Sequence, residues 1–384
     1  MNPEHCLQSA QTQTIKIPGK LYIAGEYAVL APKQAAILIA VDQYLELTIS
    51  KGSETGWLIE NHQGDYAPLC LETDDPQLKV AEDYSLEEDQ LKQWRYVIEA
   101  AKVAHTFLQE SSLNIQNVHL HIRSQLLSES GKKYGLGSSG AVTVGTLKAI
   151  LNFHGIKLSA EKLYRLAVIS QLRLGATGSF GDIAANAFGG WTYYVTPDRQ
   201  HLKKMIANSP SINALMNQEW PGLIIENLAV SKDLQVLIGW TQQTASTDNL
   251  VKQLKDQIAI KPQAFQAFLD QAPTVVGQLK EGLITNQADL IQQAISKYRH
   301  LLLDLGKAYD LSIETDDLNQ LIKIGKHHGY ASKSSGAGGG DCGIGLGYDI
   351  KAKETILNQW KKHGIMPLNL QVAPQAKSSS ERME

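Results

Sequence analysis

The chain has 384 residues, 43% of them hydrophobic, and a net charge of −3 from 36 basic and 39 acidic side chains. That length and apolar content allow a sizeable core shared by two domains, and with no block of basic residues there is no electrostatic footprint for nucleic acid or an anionic membrane, so small-molecule chemistry is favoured. Cys6, Cys70 and Cys342 are unevenly spaced and form no C-x-x-C pair, which speaks against a disulfide framework or a zinc site and for a reducing, cytoplasmic setting.

The N-terminal residues Met1 to His5 are neither basic nor followed by an apolar stretch, so no secretory signal is expected. Thr14 to Ile49 is rich in β-branched and aromatic residues interrupted by Pro18, Gly19, Gly25 and Pro32, which predicts several short strands joined by turns. Its apolar run Ala35–Val41 is the longest in the chain, far below the ~20 residues that span a bilayer, and reads as a buried strand. Eight acidic residues lie between Glu72 and Asp89; a metal site and a solvated insertion both fit that pattern, and no role is assigned to it. Val118, Leu120 and Ile122 alternate with His119, His121 and Arg123, a half-buried strand.

Helical spacing follows. Val144, Leu147 and Leu151 share one face, and Leu163, Leu166, Ala167 and Ser170 share a face of a second helix. Leu223 to Trp240 predicts a strand pair around the turn Ser231-Lys232-Asp233, then long helices run to about His328, and Ile344 to Tyr348 is strand-like. His327-His328 near a helix end fits a dipole contact better than a metal site. Residues 374–384 are polar and unpatterned, a flexible tail. No repeat is visible.

Four small-residue segments interrupt these elements. Pro18 to Val29 carries Lys20, Glu26 and Tyr27 on a turn between strands; Lys20 and Glu26 suit a phosphate and a polar ligand, or form a surface ion pair. Lys132-Lys133-Tyr134-Gly135-Leu136-Gly137-Ser138-Ser139-Gly140 follows a strand and opens a helix. Its glycines allow close backbone approach and the helix start offers N–H groups to an anion. This is a phosphate cradle unlike a Walker A loop, since the lysines precede the glycines; a plain helix N-cap is the alternative. The Ser138 or Ser139 hydroxyl is placed to reach a phosphate-bound Mg2+. Gly178-Ser179-Phe180-Gly181-Asp182 opens a small-residue helix with Asp182 as base, orienter or cap. Lys333-Ser334-Ser335-Gly336-Ala337-Gly338-Gly339-Gly340-Asp341-Cys342 is a close-approach loop or a linker. Ser246 and Thr247 lie on a loop that offers hydroxyls to a substrate phosphate or is an ordinary turn.

Together these motifs, in this order, resemble the GHMP kinase superfamily, which groups galactokinase, homoserine kinase, mevalonate kinase and phosphomevalonate kinase. Within it KYGLGSSGAVTVGTLKAIL, GSFGDIAANAFGGW and KSSGAGGGDCGIGLGYD are most similar to bacterial phosphomevalonate kinases, over about Ile15 to Leu370. The resemblance implies an α+β fold of two domains, an ATP-binding domain like domain 2 of ribosomal protein S5 over 1–200 and a ferredoxin-like domain over 201–373, with the site between them. It implies ATP and Mg2+ as cofactors and phosphomevalonate as phosphate acceptor in isoprenoid precursor synthesis. By position, Lys20, Lys133 and Asp182 are the implied catalytic residues and Lys132 with Gly135 to Gly140 the nucleotide loop. Lys20, Tyr27, Ser179, Gly181, Ser246, Thr247 and Ser334 to Gly338 are the implied substrate contacts, and Ser139 the Mg2+ contact. One departure is Gln171, which stands where mevalonate kinases carry a metal-binding glutamate. A mevalonate kinase and a non-catalytic nucleotide or metabolite sensor are the competing expectations; monomer and homodimer both stay open.

Overall fold

The computed structural model describes residues 12–377 except 54–55, 62, 64–65, 75–76, 83–85, 129–130 and 244–246. Two long strands, β1 (Gln13–Ala24) and β2 (Ala35–Lys51), form the spine of the first half. The several short strands expected there are merged, because the interruptions are absorbed locally. Pro18, with no N–H to give, sits at a register shift of the β1–β2 ladder, and Pro32 falls in the connection, which holds a 3-10 turn at Ala28–Leu30. Ala35 to Val41 are all buried, as the apolar run implies.

Strands β3 (Trp57–Asn61), β4 (Leu69–Asp74), β5 (Gln77–Val80), β6 (Val118–Ser124), β7 (Trp191–Val195) and β8 (Ile224–Leu228) complete a sheet of order β5-β4-β3-β6-β2-β7-β8, with β1 also on β2. The acidic segment is therefore partly strand: the end of β4 and all of β5 lie within it. Helices α1 (Glu88–Glu110), α2 (Ser138–Phe153), α3 (Ala160–Arg173) and α4 (Gly181–Phe188) cover one face. The expected apolar stripes face inward: Val144, Leu147 and Leu151 of α2 and Leu163, Leu166 and Ala167 of α3 are all at most 4% exposed.

Helices α5 (Arg199–Asn208) and α6 (Ile212–Asn217) precede β8, and α6 packs on α1 and α3. The expected hairpin around Ser231-Lys232-Asp233 does not form. Instead β8 adds antiparallel to β7, and the next strand, β9 (Gln235–Trp240), is a central strand of the second sheet. Alternation alone cannot name a strand's partner, and here the turn divides two sheets. The first sheet thus ends with β8 and the second begins with β9.

The second unit runs β9, α7 (Thr247–Ile260), α8 (Pro262–Ile284), α9 (Ala288–Tyr309), α10 (Asp316–His327), β10 (Ala331–Ser334), β11 (Cys342–Gly347), α11 (Ile350–Lys362) and β12 (Met366–Leu368). Its antiparallel order β10-β11-β9-β12 is that of a split β-α-β fold, the ferredoxin-like arrangement. The chain then returns to the first sheet: Ala373 donates to the Ala40 carbonyl at 2.9 Å, and Ala376 donates to that of Phe188 at 2.8 Å. Residues 374–376 of the expected tail are thus docked. Among the described residues no helix is long and apolar enough to cross a membrane.

Candidate active site

The loop from Tyr134 to Gly140 lies against β1, where the Lys20 N–H donates to the Leu136 carbonyl at 2.9 Å. Gly135 and Gly137 take φ of 80° and 78°, left-handed values that an L side chain disfavours. Gly137 is the N-cap of α2, and the first intrahelical bond runs from Ala141 N–H to its carbonyl at 3.1 Å. The amides of Ser138, Ser139 and Gly140 therefore have no helical acceptor and point out of the helix end. Among the described residues neither serine hydroxyl takes a protein partner; the Thr143 hydroxyl donates to the Ser139 main-chain carbonyl, at 2.8 Å, and leaves the side chain unengaged. Free amides, free hydroxyls and the positive end of a 16-residue helix make an anion cradle.

Lys20 sits in the interior of β1, not on a turn, and its Nζ donates to the Gly135 carbonyl at 3.1 Å. A Cβ placed on Gly137 would come within 2.7 Å of the Lys20 Cε, so the glycine is what lets the lysine stem pass. Across the loop, α4 presents Asp182 and Asn186 toward Gly140, whose added Cβ would meet Asn186 Oδ1 at 2.6 Å and Asp182 Oδ2 at 2.9 Å. Burial pushes the Asp182 carboxyl above its usual range, while Lys20 and the amides of Ile183 and Asp182 itself pull the other way. Asn186 is fixed by donating to the Pro18 carbonyl at 2.7 Å. Tyr22, two residues along β1 on the Lys20 face, bonds Ser179 Oγ at 2.9 Å, and its hydroxyl would lie 2.7 Å from a Cβ on Gly181.

The glycine-rich segment between β10 and β11 closes this site from the second unit. Lys333 is fully buried, with its Nζ 2.5 Å from Glu26 Oε1. The second Glu26 oxygen has no partner, and the Glu26 carbonyl accepts from Tyr298 Oη at 2.8 Å. Burial lowers the Lys333 ammonium below its usual value, against the pull of Glu26. Tyr27 Oη donates to the Ala337 carbonyl at 2.5 Å and Ser335 Oγ to that of Tyr22 at 2.9 Å, so these hydroxyls join the units. Ser334 is buried in β10, and Gly338 has Ile313 against it, whereas space opens beside Gly336. Asp341 brings its carboxylate against Gly135, 2.6 Å from where a Cβ would sit. Three of the eight described non-glycine residues with positive φ, Tyr27, Phe180 and Asp341, belong to these motifs, a concentration of backbone strain at the junction.

The sequence-selected residues Lys20, Gly135 to Gly140, Asp182, Ser179 and Gly181 are thus assembled around one loop. Lys132 and Lys133 are exposed on the turn leading into it. Ser246 lies outside the described residues, and Thr247 opens α7. Gln171 is buried and donates to Thr143 Oγ1 at 3.0 Å, which ties it beneath the first turn of α2. Tyr22, Asn186, Lys333 and Asp341 were not singled out. Tyr22 was findable by period two from Lys20; the Glu26–Lys333 pair, 307 residues apart, left no local signal.

Residues 95–190 match the GHMP kinases N terminal domain and residues 279–365 the GHMP kinases C terminal family. A phosphomevalonate kinase of Streptomyces sp. (strain CL190) is 34% identical over 92% of this chain and 95% of that protein. A mevalonate kinase of Pyrococcus horikoshii is 25% identical over 85% of each. Streptococcus pneumoniae phosphomevalonate kinase, solved in complex with phosphomevalonate and AMPPNP, superposes with a TM-score of 0.81 at 28% identity, covering 94% of this chain and 99% of that one. Both halves match one family in order, and a relative 34% identical aligns along nearly the whole length of both chains: the chain belongs to the GHMP kinases.

Proposed function

We propose that this chain is a phosphomevalonate kinase, which transfers the γ-phosphate of ATP to the phosphate of (R)-5-phosphomevalonate to give 5-diphosphomevalonate. The observation that carries the reading is the unengaged start of α2 set between Lys20 and Asp182, in a chain 34% identical to a phosphomevalonate kinase. The free amides of Ser138 to Gly140 receive the nucleotide phosphates and stabilise charge on the transferred group.

A phosphate acceptor has a second pKa near ~6 and is already a nucleophilic anion at neutral pH, so its main obstacle is repulsion from the triphosphate. Lys20 offsets that repulsion. Lys133, exposed on the turn before the loop and paired with no side chain among the described residues, adds a second positive charge. Asp182 orients the acceptor and Lys20; its raised pKa leaves it able to take a proton from an acceptor that arrives protonated. Ser179, beside Tyr22, and the open space at Gly336 face the acceptor side.

Mg2+ accompanies the nucleotide in this reading, and the donor set fits it: the Ser139 hydroxyl is unengaged among the described residues and the Asp182 carboxylate adjoins the loop at Gly140, on the side of the helix start, while Gln171 is committed to Thr143. When bound, the ion neutralises charge on the phosphate oxygens. A mevalonate kinase is the second reading, favoured by a carboxylate at Asp182 where an alcohol acceptor needs a base. Purified protein incubated with ATP and either acceptor, with ADP followed by a coupled assay, separates them. Turnover with phosphomevalonate and none with mevalonate is expected; the reverse result replaces the assignment, and no ADP with either acceptor points to a sensor.

A further inference from the structure

A second cluster lies on the other face of the first sheet. His119 and His121 are two residues apart on β6 and so share a face; β3, paired parallel with β6, sets Glu60 opposite His121. This is the single parallel pairing among the described strands. His121 is also in register with Thr48, whose neighbour Leu47 points the opposite way into the core beneath Gly145 of α2. The cluster is therefore separated from the nucleotide helix by the thickness of the sheet.

We propose that Glu60, His119 and His121 form a binding site for a divalent transition-metal ion of the Zn2+ class. Glu60 Oε2 lies 2.7 Å from His119 Nε2 and 3.5 Å from His121 Nδ1, and the three ligand atoms all fall within 4.8 Å of one another. Metal–ligand bonds of about 2.0–2.2 Å in a tetrahedron put donor atoms roughly 3.3 Å apart, so small side-chain rotations close the set on one ion. The imidazole rings stand 4.0 Å apart between centroids and are tilted by 49°, so both nitrogens reach the carboxylate side without stacking flat. Side-chain exposures of 25–35% give an ion access from solvent.

Two imidazoles and one carboxylate select Zn2+, Co2+, Ni2+ or Cu2+ over Mg2+, which takes oxygen ligands. The cysteine spacing spoke against a thiolate zinc site, and this one uses none. Three protein ligands leave a fourth position for water, and a cavity of about 640 Å3 bounded by Glu46, Thr48, Gln63, His121, Ile122 and Arg123 adjoins the cluster at His121. A bound ion bridges β3 and β6, stapling that parallel pair.

The test is titration of metal-stripped full-length protein with Co2+, read by its visible d–d bands, followed by displacement with Zn2+. One equivalent of Co2+ with a band characteristic of four-coordination, released by Zn2+, is expected. The His119→Ala/His121→Ala variant should lose that equivalent, and Glu60→Gln should weaken it by at least tenfold. Zn2+ should raise the melting temperature of the parent protein and leave that of the double variant unmoved, while ATP turnover is the same in all three. Absence of stoichiometric Co2+ binding by the parent, or the same stoichiometry in the double variant, overturns the site and leaves the cluster an ordinary surface ion pair. Should the double variant fail to fold, Glu60→Gln alone decides: unchanged affinity refutes the proposal.

Discussion

Lys333 shows how much a single side chain can hold at the junction. It is a fully buried cation whose partner, Glu26, is equally enclosed and has one oxygen unpaired. Removing one member of such a pair leaves a buried charge uncompensated, at a cost of about 3–5 kcal/mol, whereas replacing both with apolar groups is close to neutral. Lys333→Met should therefore destabilise the protein by ~3–5 kcal/mol in urea titrations, and Lys333→Met with Glu26→Leu should recover most of that loss. An uncorrected double variant would show that the cost lies in packing and not in charge. The pH dependence follows from the same burial. The folded-state pKa of Lys333 is lowered from 10.5, so between that lowered value and 10.5 the unfolded chain binds more protons than the native one. Its contribution to stability rises as pH climbs through that window and is level above it. Urea midpoints measured across alkaline pH should show this slope in the parent, flattened in Lys333→Met. Lys20 acts differently, since it meets the loop rather than a buried anion. Lys20→Met should lower kcat at least tenfold, which is ~1.4 kcal/mol of barrier, with the melting temperature retained; near-parent turnover would remove it from the reaction.

The helix start of α2 is a device of an entire element, and it depends on Gly137 holding φ at 78° with the lysine stem beside it. Gly137→Ala should add roughly 1–2 kcal/mol of backbone strain and push Lys20 from Gly135. KM for ATP should rise and kcat fall together, while far-ultraviolet circular dichroism keeps its shape; unchanged kinetics would mean that the loop does not hold the phosphates. This element was legible before the fold was seen: a half-buried strand, glycines, then a 3.6-residue apolar stripe follow one another in sequence, and local spacing is what a sequence displays directly. The α4 start was legible for the same reason. The strand carrying Lys20 was read as a turn, because Pro18-Gly19 is a turn signal whose meaning changes once a 17-residue partner strand absorbs it as a ladder irregularity. Likewise the alternation before and after Ser231-Lys232-Asp233 marked two strands correctly and paired them wrongly, since pairing is settled by long-range packing. The bonds from the Tyr27 and Ser335 hydroxyls to carbonyls more than 300 residues away, in the other unit, are likewise long-range pairings that local spacing does not display.

At the scale of the molecule one continuous buried cluster, running from Ile17 to Leu346, spans both units, and a smaller one around Leu321, Ile356 and Trp360 lies within the second. Tyr134 of the loop packs edge-on against Trp240 of the second sheet with ring centroids 4.7 Å apart. Loss of either unit would strip contacts from the other, so circular dichroism and tryptophan fluorescence should report one coincident unfolding transition. The returning strand after Leu370 tests how far this coupling reaches the chemistry. Asp42 donates to the Gln371 carbonyl at 3.0 Å, Gly190 to that of Ala373 at 3.1 Å, and Ala373 to that of Ala40 at 2.9 Å. Ala376 then donates to the Phe188 carbonyl at 2.8 Å, satisfying the C-terminal end of the helix whose other end carries Asp182. Four hydrogen bonds at about 0.5–1.5 kcal/mol each predict a loss of roughly 2–6 kcal/mol when the chain is cut after Leu370. If the segment also braces α4, kcat measured well below the lowered melting temperature should fall as well, because Asp182 and Asn186 would drift from Gly140. A truncated chain with reduced stability and full turnover would limit the return strand to holding the fold, and would place the bracing of Asp182 in the packing of α4 against α2 and α3.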